Sequence, residues 1–380
     1  MRTIVTFLIL CLSVTSALAQ QLIPAPPQLA ATAYLLLDAE TGEVLVEHNA
    51  DEMLPPASLT KMMTSYIVSS EMDRGNVAAE DMVNISVRAW KMGGSKMFIR
   101  EGTQVSVKDL LRGVIIQSGN DASVALAEHI AGSEEAFADV MNQQAAILGM
   151  TSTQFLNATG WPAEGHYTTA RDLAILAKAI INDYPEHYEI YAERSFSYNG
   201  IDQMNRNRLL FLDKSIDGLK TGHTEEAGYC LVASGVKSGM RLISVVMGTR
   251  SDKARAAESQ KLMAYGFRYY ETHQALEAGQ QFASQRVWGG QAKEVAIGVN
   301  KALSLTIPRR GQERIKQSVK LDEVIEAPIS EGQELGRLQL ELDGKQIAEV
   351  PLVALEPVQE AGFFARLWDT IKLFIFNLFA

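Results

Sequence analysis

The chain has 380 residues, 47% of them hydrophobic and 21% charged, with a formal net charge of -10. That content suits a globular protein with a sizeable core and room for more than one domain. The acidic balance argues against nucleic acid as a partner, which would need a basic surface.

Residues 1–19 read as a signal peptide. Met1-Arg2 is a basic start, residues 4–14 are apolar, and Ala17-Leu18-Ala19 is an A-x-A cleavage site, so the mature chain is expected to begin at Gln20. The apolar run is short for a bilayer span. Export implies an oxidising compartment, yet Cys11 leaves with the signal and Cys230 alone remains. No intrachain disulfide is then possible. Cys230 lies in the apolar run Tyr229-Cys230-Leu231-Val232-Ala233 and reads as a packed core residue.

Residues 20–31, with Pro24, Pro26 and Pro27, read as an extended lead-in. Residues 33–38 and 44–47 read as strands of a hairpin that turns at 39–42. Pro55-Pro56 then precede a helix through Met62, Met63, Tyr66, Ile67 and Val68, since proline suits a helix start. Residues 74–150 read as helices joined by loops, one of them a flexible loop at 90–95. Ser133 opens a helix that runs to Leu148, and Thr169-Ala170-Arg171-Asp172 fits a capping box before a helix at 173–181.

A strand is expected around 220–222, then a strand pair at 230–236 and 242–247 turning at 237–239. Residues 252–270 are periodic and helical, with Ala256, Leu262, Met263 and Phe267 on one side. After Thr272 come short strands at 293–299, 304–307, 317–321, 338–342 and 346–350, with Asp343-Gly344 as a hairpin signal. They define a small all-β domain, a β-sandwich over 273–357. Strand order that departs from βαβ alternation places the whole in the α+β class.

Residues 363–379 form an amphipathic helix within a terminal segment, 358–380. Phe363, Phe364, Leu367, Trp368, Ile371, Phe374, Ile375, Leu378 and Phe379 share one face, opposite Arg366, Asp369, Thr370, Lys372 and Asn377. Its charges are too frequent for a spanning helix, so it is expected to lie in a membrane interface.

Three short motifs carry chemistry. Ser58-Leu59-Thr60-Lys61 is S-x-x-K at a helix start, where free N–H groups and the dipole favour a developing anion. The spacing sets an amine beside a hydroxyl, as a Ser–Lys nucleophile pair needs. Alone, so short a pattern is far more often a capping serine and a solvated lysine. Ser118-Gly119-Asn120 follows an apolar helix, and Lys220-Thr221-Gly222 opens a β-rich stretch. S-x-x-K, S-x-N and K-T-G in that order are far more specific than one motif.

On these motifs the chain resembles the low-molecular-mass penicillin-binding proteins, serine-type D-alanyl-D-alanine carboxypeptidases with a C-terminal membrane anchor. The resemblance runs from about residue 28 to the C-terminus. It implies an antiparallel sheet flanked by helices, with a mostly helical subdomain beside it and an acyl-serine catalytic domain over 20–272. It makes Ser58 the nucleophile and Lys61 its base, kept neutral by burial and by a second cation, Lys220. Ser118 would relay a proton to the leaving nitrogen, and Asn120 would orient Lys61 and the substrate amide. The backbone N–H groups of Ser58 and His223 would form the oxyanion hole, with the His223 side chain structural. Lys220, Thr221, Gly222, His223 and Arg255 would line the substrate site, Thr221 and Arg255 taking the free carboxylate of a terminal D-alanine.

The implied partners are a peptidoglycan stem peptide, β-lactam inhibitors and a membrane surface. The implied location is periplasmic, peripheral on the outer face of the inner membrane. No cofactor or metal is expected: HExxH is absent and the six histidines are scattered. Two departures stand out. Gly119 replaces the middle residue of S-D-N, and Thr153 stands where class A β-lactamases carry a deacylating glutamate. The second argues against efficient β-lactam hydrolysis. A DD-endopeptidase, a weak β-lactamase and a penicillin-binding scaffold remain the alternatives.

Overall fold

The computed structural model describes residues 23–379. The signal-peptide reading lies outside them. A five-stranded antiparallel sheet organises the first part, in the order Val44–His48, Ala33–Asp38, Met240–Thr249, Gly228–Lys237, Ile216–Thr224. The hairpin and the strand pair stand where the residue patterns put them.

Ala33–Asp38 is buried along its whole length, because the sheet is covered on both faces. Leu35, Leu37, Val245 and Met247 face one core with the helices Lys61–Asp73, Val107–Ile116, Asn120–Ala131, Glu134–Leu148 and Ala170–Asp183. Leu36, Leu242 and Val246 face a second core under the helix Asp252–Tyr269. Ile216–Thr224 is an edge strand, and its open side faces the turn that carries Ser58.

The stretch 74–150 differs from the reading as helices and loops. Met82–Asn84 and Gln104–Ser106 pair as a short antiparallel ribbon. Three-residue strands are too brief to show an alternation. Residues 90–95 are not one flexible loop. Trp90 and Lys91 end the helix Val87–Lys91, capped by Ser86, whose Oγ accepts from Ala89 N. Beyond it, Gly93 O accepts from Asn120 Nδ2 at 2.8 Å, and the Asp121 carboxylate accepts from the N–H groups of Met97 and Phe98, each at 2.9 Å. At Thr169 half of the capping box forms. Thr169 Oγ1 accepts from Asp172 N, but the Asp172 carboxylate takes Ser152 N and the Thr153 hydroxyl instead.

The chain leaves the helix Asp252–Tyr269 directly into the strand Tyr270–Leu276, which pairs with Leu303–Pro308. Thr272 and Thr306 donate their hydroxyls to the buried Asp38 carboxylate at 2.5 and 2.8 Å, which clamps this pair to the five-stranded sheet. A six-stranded sheet follows around its own core of Val295, Ile297, Leu338, Leu340 and Leu352. Tyr270–Leu276 and Gln281–Trp288 escaped the sequence reading because their polar residues blur the two-residue period. Asp343-Gly344 form the hairpin turn, both with positive φ.

Phe363–Phe379 is a helix. Its polar side meets the β-rich part: Asp369 accepts from Gly289 N at 3.2 Å and from Arg286 at 3.4 Å. Its apolar side is bare, with Phe363, Phe364, Trp368 and Phe374 between 59% and 83% exposed. Among the described residues no helix is long and apolar enough to cross a membrane.

Candidate active site

Ser58 lies in a single 3-10 turn, Ala57–Thr60, that runs straight into the helix Lys61–Asp73. Residues three apart eclipse in a 3-10 turn, so Lys61 falls directly over Ser58. Lys61 Nζ sits 3.0 Å from Ser58 Oγ. The same nitrogen reaches Asn120 Oδ1 at 2.7 Å and the Thr159 carbonyl oxygen at 2.5 Å. Ser118 enters from the end of the helix Val107–Ile116 with φ 61°, a strained position for a non-glycine residue. Its Oγ accepts from Lys220 Nζ at 2.9 Å, and Lys220 also donates to the Thr221 carbonyl at 2.9 Å. The three motifs therefore converge on one cleft.

Glycine at 222 has a steric reason. A Cβ there would lie 3.1 Å from Pro56 O and 3.3 Å from the Ala57 Cβ, so a larger residue would press the edge strand and the Ser58 turn apart by a few tenths of an ångström. Gly119 is explained in the same way. A Cβ there would crowd Asp121 Oδ1 at 2.9 Å and Met97 N at 3.2 Å. A side chain at this middle position would therefore have to displace the buried Asp121 carboxylate.

Lys61 and Lys220 are 1% and 2% exposed. Burial is the main cause that brings Lys61 down to about 7, and Arg206 adds to it while Asp121 and Glu134 oppose it. Burial pushes Lys220 well below the ordinary lysine range too, helped by Lys61, Arg206 and Arg255. Arg206, which no motif marks, is thus a cation that helps to depress both amines.

A cleft of about 550 Å³ opens beside Ser58, lined by Ser118, Thr221, Gly222, His223, Arg206 and Arg255 among others. Arg255 is largely committed: it donates to Gly222 O at 2.9 Å and Asp252 Oδ1 at 2.5 Å, and lies over the Tyr229 ring. Arg206 is freer. Among the described residues its only hydrogen bond runs from Nε to the Gln117 carbonyl at 3.1 Å. The exposed His223 ring packs 3.9 Å from the Tyr229 ring, a structural contact. On the other side of Ser58 the groove continues between Gly94, Asn120, Trp161 and Thr224.

Comparison with known proteins settles the family. Residues 20–251 match the peptidase S11 family of D-alanyl-D-alanine carboxypeptidases, and residues 270–360 match the penicillin-binding protein 5 C-terminal domain. The chain belongs to the D-alanyl-D-alanine carboxypeptidase family. It is 46% identical over 367 residues to the D-alanyl-D-alanine carboxypeptidase DacC of Escherichia coli strain K12, covering 94% of this chain and 92% of that one. It is 45% identical to DacA of the same strain over 366 residues, covering 94% and 91%. Penicillin-binding protein 5 from Haemophilus influenzae superposes with a TM-score of 0.84 at 45% identity, over 89% of this chain and all (100%) of that one. Penicillin-binding protein D2 from Listeria monocytogenes, solved in an ampicillin-bound form, has a TM-score of 0.60 at 32% identity and covers 64% of this chain and 100% of its own. The carboxypeptidase is a serine peptidase with an antiparallel sheet, flanking helices and an all-β C-terminal part.

Several site residues of this carboxypeptidase carried no sequence signal. Arg206 lies in no motif. Asp121 follows the S-x-N directly and its carboxylate is fully buried, but only the folded loop shows which N–H groups it takes. Thr159 acts through a backbone carbonyl, which side-chain patterns cannot reveal. Thr153 is turned away from Ser58, with its hydroxyl on Thr168 and Asp172.

Proposed function

We propose that this enzyme removes the terminal D-alanine from peptidoglycan pentapeptide stems through a Ser58 acyl-enzyme, and that penicillin acylates the same serine. The observation that carries this reading is the environment of Lys61 Nζ. A neutral amine has two N–H donors and one lone pair. Asn120 Oδ1 and the Thr159 carbonyl take the two donors at 2.7 and 2.5 Å, so the lone pair is left for the Ser58 hydroxyl at 3.0 Å. Asn120 is held with its oxygen toward Lys61 because its Nδ2 donates to Gly93 O.

In acylation the Ser58 proton moves to Lys61 as Oγ bonds to the scissile carbonyl carbon. The backbone N–H groups of Ser58 and His223 take the oxyanion, each such donor being worth about 3 kcal/mol of barrier. When the C–N bond breaks, Lys61 returns the proton to the leaving nitrogen by way of Ser118, which Lys220 orients. The free carboxylate of the departing D-alanine sits at the cationic end of the cleft on Thr221 and Arg255, and Arg206 joins them as the less committed guanidinium. Gly222 keeps the strand close enough for the peptide to lie along its edge. The rest of the stem runs past Trp161. Water then releases the shortened stem.

For the chain as a whole, we read residues 1–19 as an export signal, 20–272 as the catalytic domain, 273–357 as a β-domain and 358–380 as an anchor. The bare apolar face of Phe363–Phe379 supports binding in the headgroup and acyl boundary of a membrane, peripheral on the periplasmic side of the inner membrane.

Incubating the protein with a pentapeptide stem and weighing the products tests the activity. D-alanine release is expected, with an acid limb near pH 7 as Lys61 loses its proton. A folded protein that is acylated by penicillin yet releases no D-alanine would replace this reading with a penicillin-binding scaffold.

A further inference from the structure

Thr159 O is the acceptor that completes the Lys61 site. Thr64 and Glu134 hold the preceding residue, Thr64 Oγ1 donating to Ala158 O at 2.7 Å and Glu134 Oε1 accepting from Ala158 N at 3.2 Å, and the turn beyond is gathered around the Asn157 side chain. Asn157 Oδ1 accepts from Thr159 N at 3.1 Å, Thr159 Oγ1 at 2.8 Å, Gly160 N at 2.8 Å and Trp161 N at 3.1 Å. Asn157 Nδ2 donates to Trp161 O at 2.9 Å and lies 3.3 Å from His166 Nδ1. His166 Nε2 reaches Thr60 Oγ1 at 3.1 Å, one residue before Lys61. Gly160 has φ 79°, and a Cβ there would collide with the Ala57 carbonyl. The loop thus leans on the nucleophile turn, and Asn157 Oδ1 ties together both residues of the peptide unit whose oxygen meets Lys61.

We propose that Asn157, backed by His166, is a positioning residue that aims the Thr159 carbonyl at Lys61 and so directs the amine lone pair toward Ser58. The proposal rests on Lys61 being the base. With Thr159 O withdrawn, one Lys61 N–H has no fixed acceptor, and the amine can turn that N–H toward Ser58 Oγ instead of its lone pair. Asn157 touches neither substrate nor reacting atoms. It acts through a backbone group two residues away.

Losing a carbonyl acceptor also destabilises the protonated form of Lys61, which has three N–H groups to satisfy. Two effects must then occur together in Asn157→Ala. The plateau of the acylation rate falls, and the acid limb of its pH profile moves to lower pH. Asn157→Asp keeps an acceptor for the loop N–H groups but adds a negative charge, so it moves the limb to higher pH. The charged groups that face Lys61 are Lys220 and Arg206 on one side and Asp121 and Glu134 on the other, and neither variant alters them.

The experiment is the pH dependence of penicillin acylation for the wild type, Asn157→Ala, Asn157→Asp and Lys61→Ala, with thermal melts alongside. We expect a plateau loss on the order of 10²-fold for Asn157→Ala, as for a misplaced catalytic group, and limbs that move in opposite directions in the two Asn157 variants. A plateau that falls only with the folded fraction, or limbs that stay in place, overturns the proposal and leaves Asn157 a structural residue. Should Asn157→Ala not fold, an unmoved limb in Asn157→Asp overturns it equally. Acylation that persists in Lys61→Ala refutes the base assignment itself, which separates that failure from the failure of Asn157.

Discussion

The cleft around Ser58 and the C-terminal part of the molecule treat charge in opposite ways. In the cleft Lys61, Lys220 and Asp121 are at most 2% exposed, and each is tied to specific partners. Beyond Tyr270 the charges stay at the surface. Arg337 and Glu349 pair at 2.8 Å with side chains 61% and 28% exposed. The terminal helix goes further and turns its aromatic residues outward while its polar side packs on the sheet. Burying an amine costs desolvation, and that cost makes it a base at neutral pH. A solvated ion pair has no such cost and no such reactivity. Substitutions in the first region should therefore change chemistry, and those in the second should change location or nothing.

The largest expected effect is at the nucleophile. Ser58→Ala should abolish both covalent penicillin labelling and D-alanine release. A persisting adduct, seen by mass spectrometry, would move the nucleophile elsewhere. Lys61→Ala comes next, with a loss of about 10² to 10⁴ in acylation rate. A near-normal rate would remove Lys61 from the base role and dissolve the contrast between buried and exposed charge.

His166 tests the same contrast through stability. Burial holds its ring down to about 4, against 6.5 for a free histidine. The unfolded chain therefore takes up a proton that the folded chain refuses. The His166 contribution is fully present above pH about 6.5 and is lost as pH falls through about 4, up to about 3 kcal/mol. His166→Gln should flatten the melting temperature between those pH values. An unchanged slope would show that His166 does not titrate in this way.

The smallest catalytic effects belong to the C-terminal part. Truncation after Val358 should release a soluble enzyme with full acylation rate, and high salt should fail to strip the full-length protein from membranes, since screening weakens charge contacts and not apolar ones. Release by salt alone, or a truncated form that still pellets, would refute the anchor. Glu349→Gln should leave acylation unchanged, and any loss of rate would show that the β-rich part reaches the cleft.

The residues proposed to carry the chemistry were legible because such chemistry demands particular side chains at short spacing. Ser58 with Lys61, Ser118 with Asn120, and Lys220 with Thr221 and Gly222 were each found as motifs. The central strands were legible from apolar runs, and the terminal helix from its period. The ribbon Met82–Asn84 with Gln104–Ser106 was not, because its strands are shorter than any pattern. Arg206 was not, because its effect on Lys61 is electrostatic and crosses from a distant part of the chain.

By itself, the sequence determined which groups could react and roughly which elements would carry them, since local spacing and apolar period are properties of neighbouring residues. Tertiary structure decided how those groups behave. It brought Thr159 O, 98 residues away, against Lys61 Nζ, and it set Arg206 as a cation that helps to depress a buried amine. It also put the Asp121 carboxylate 2.9 Å from where a Cβ on Gly119 would lie. Those outcomes depend on burial and on distances between residues far apart in the chain, and no local pattern encodes either.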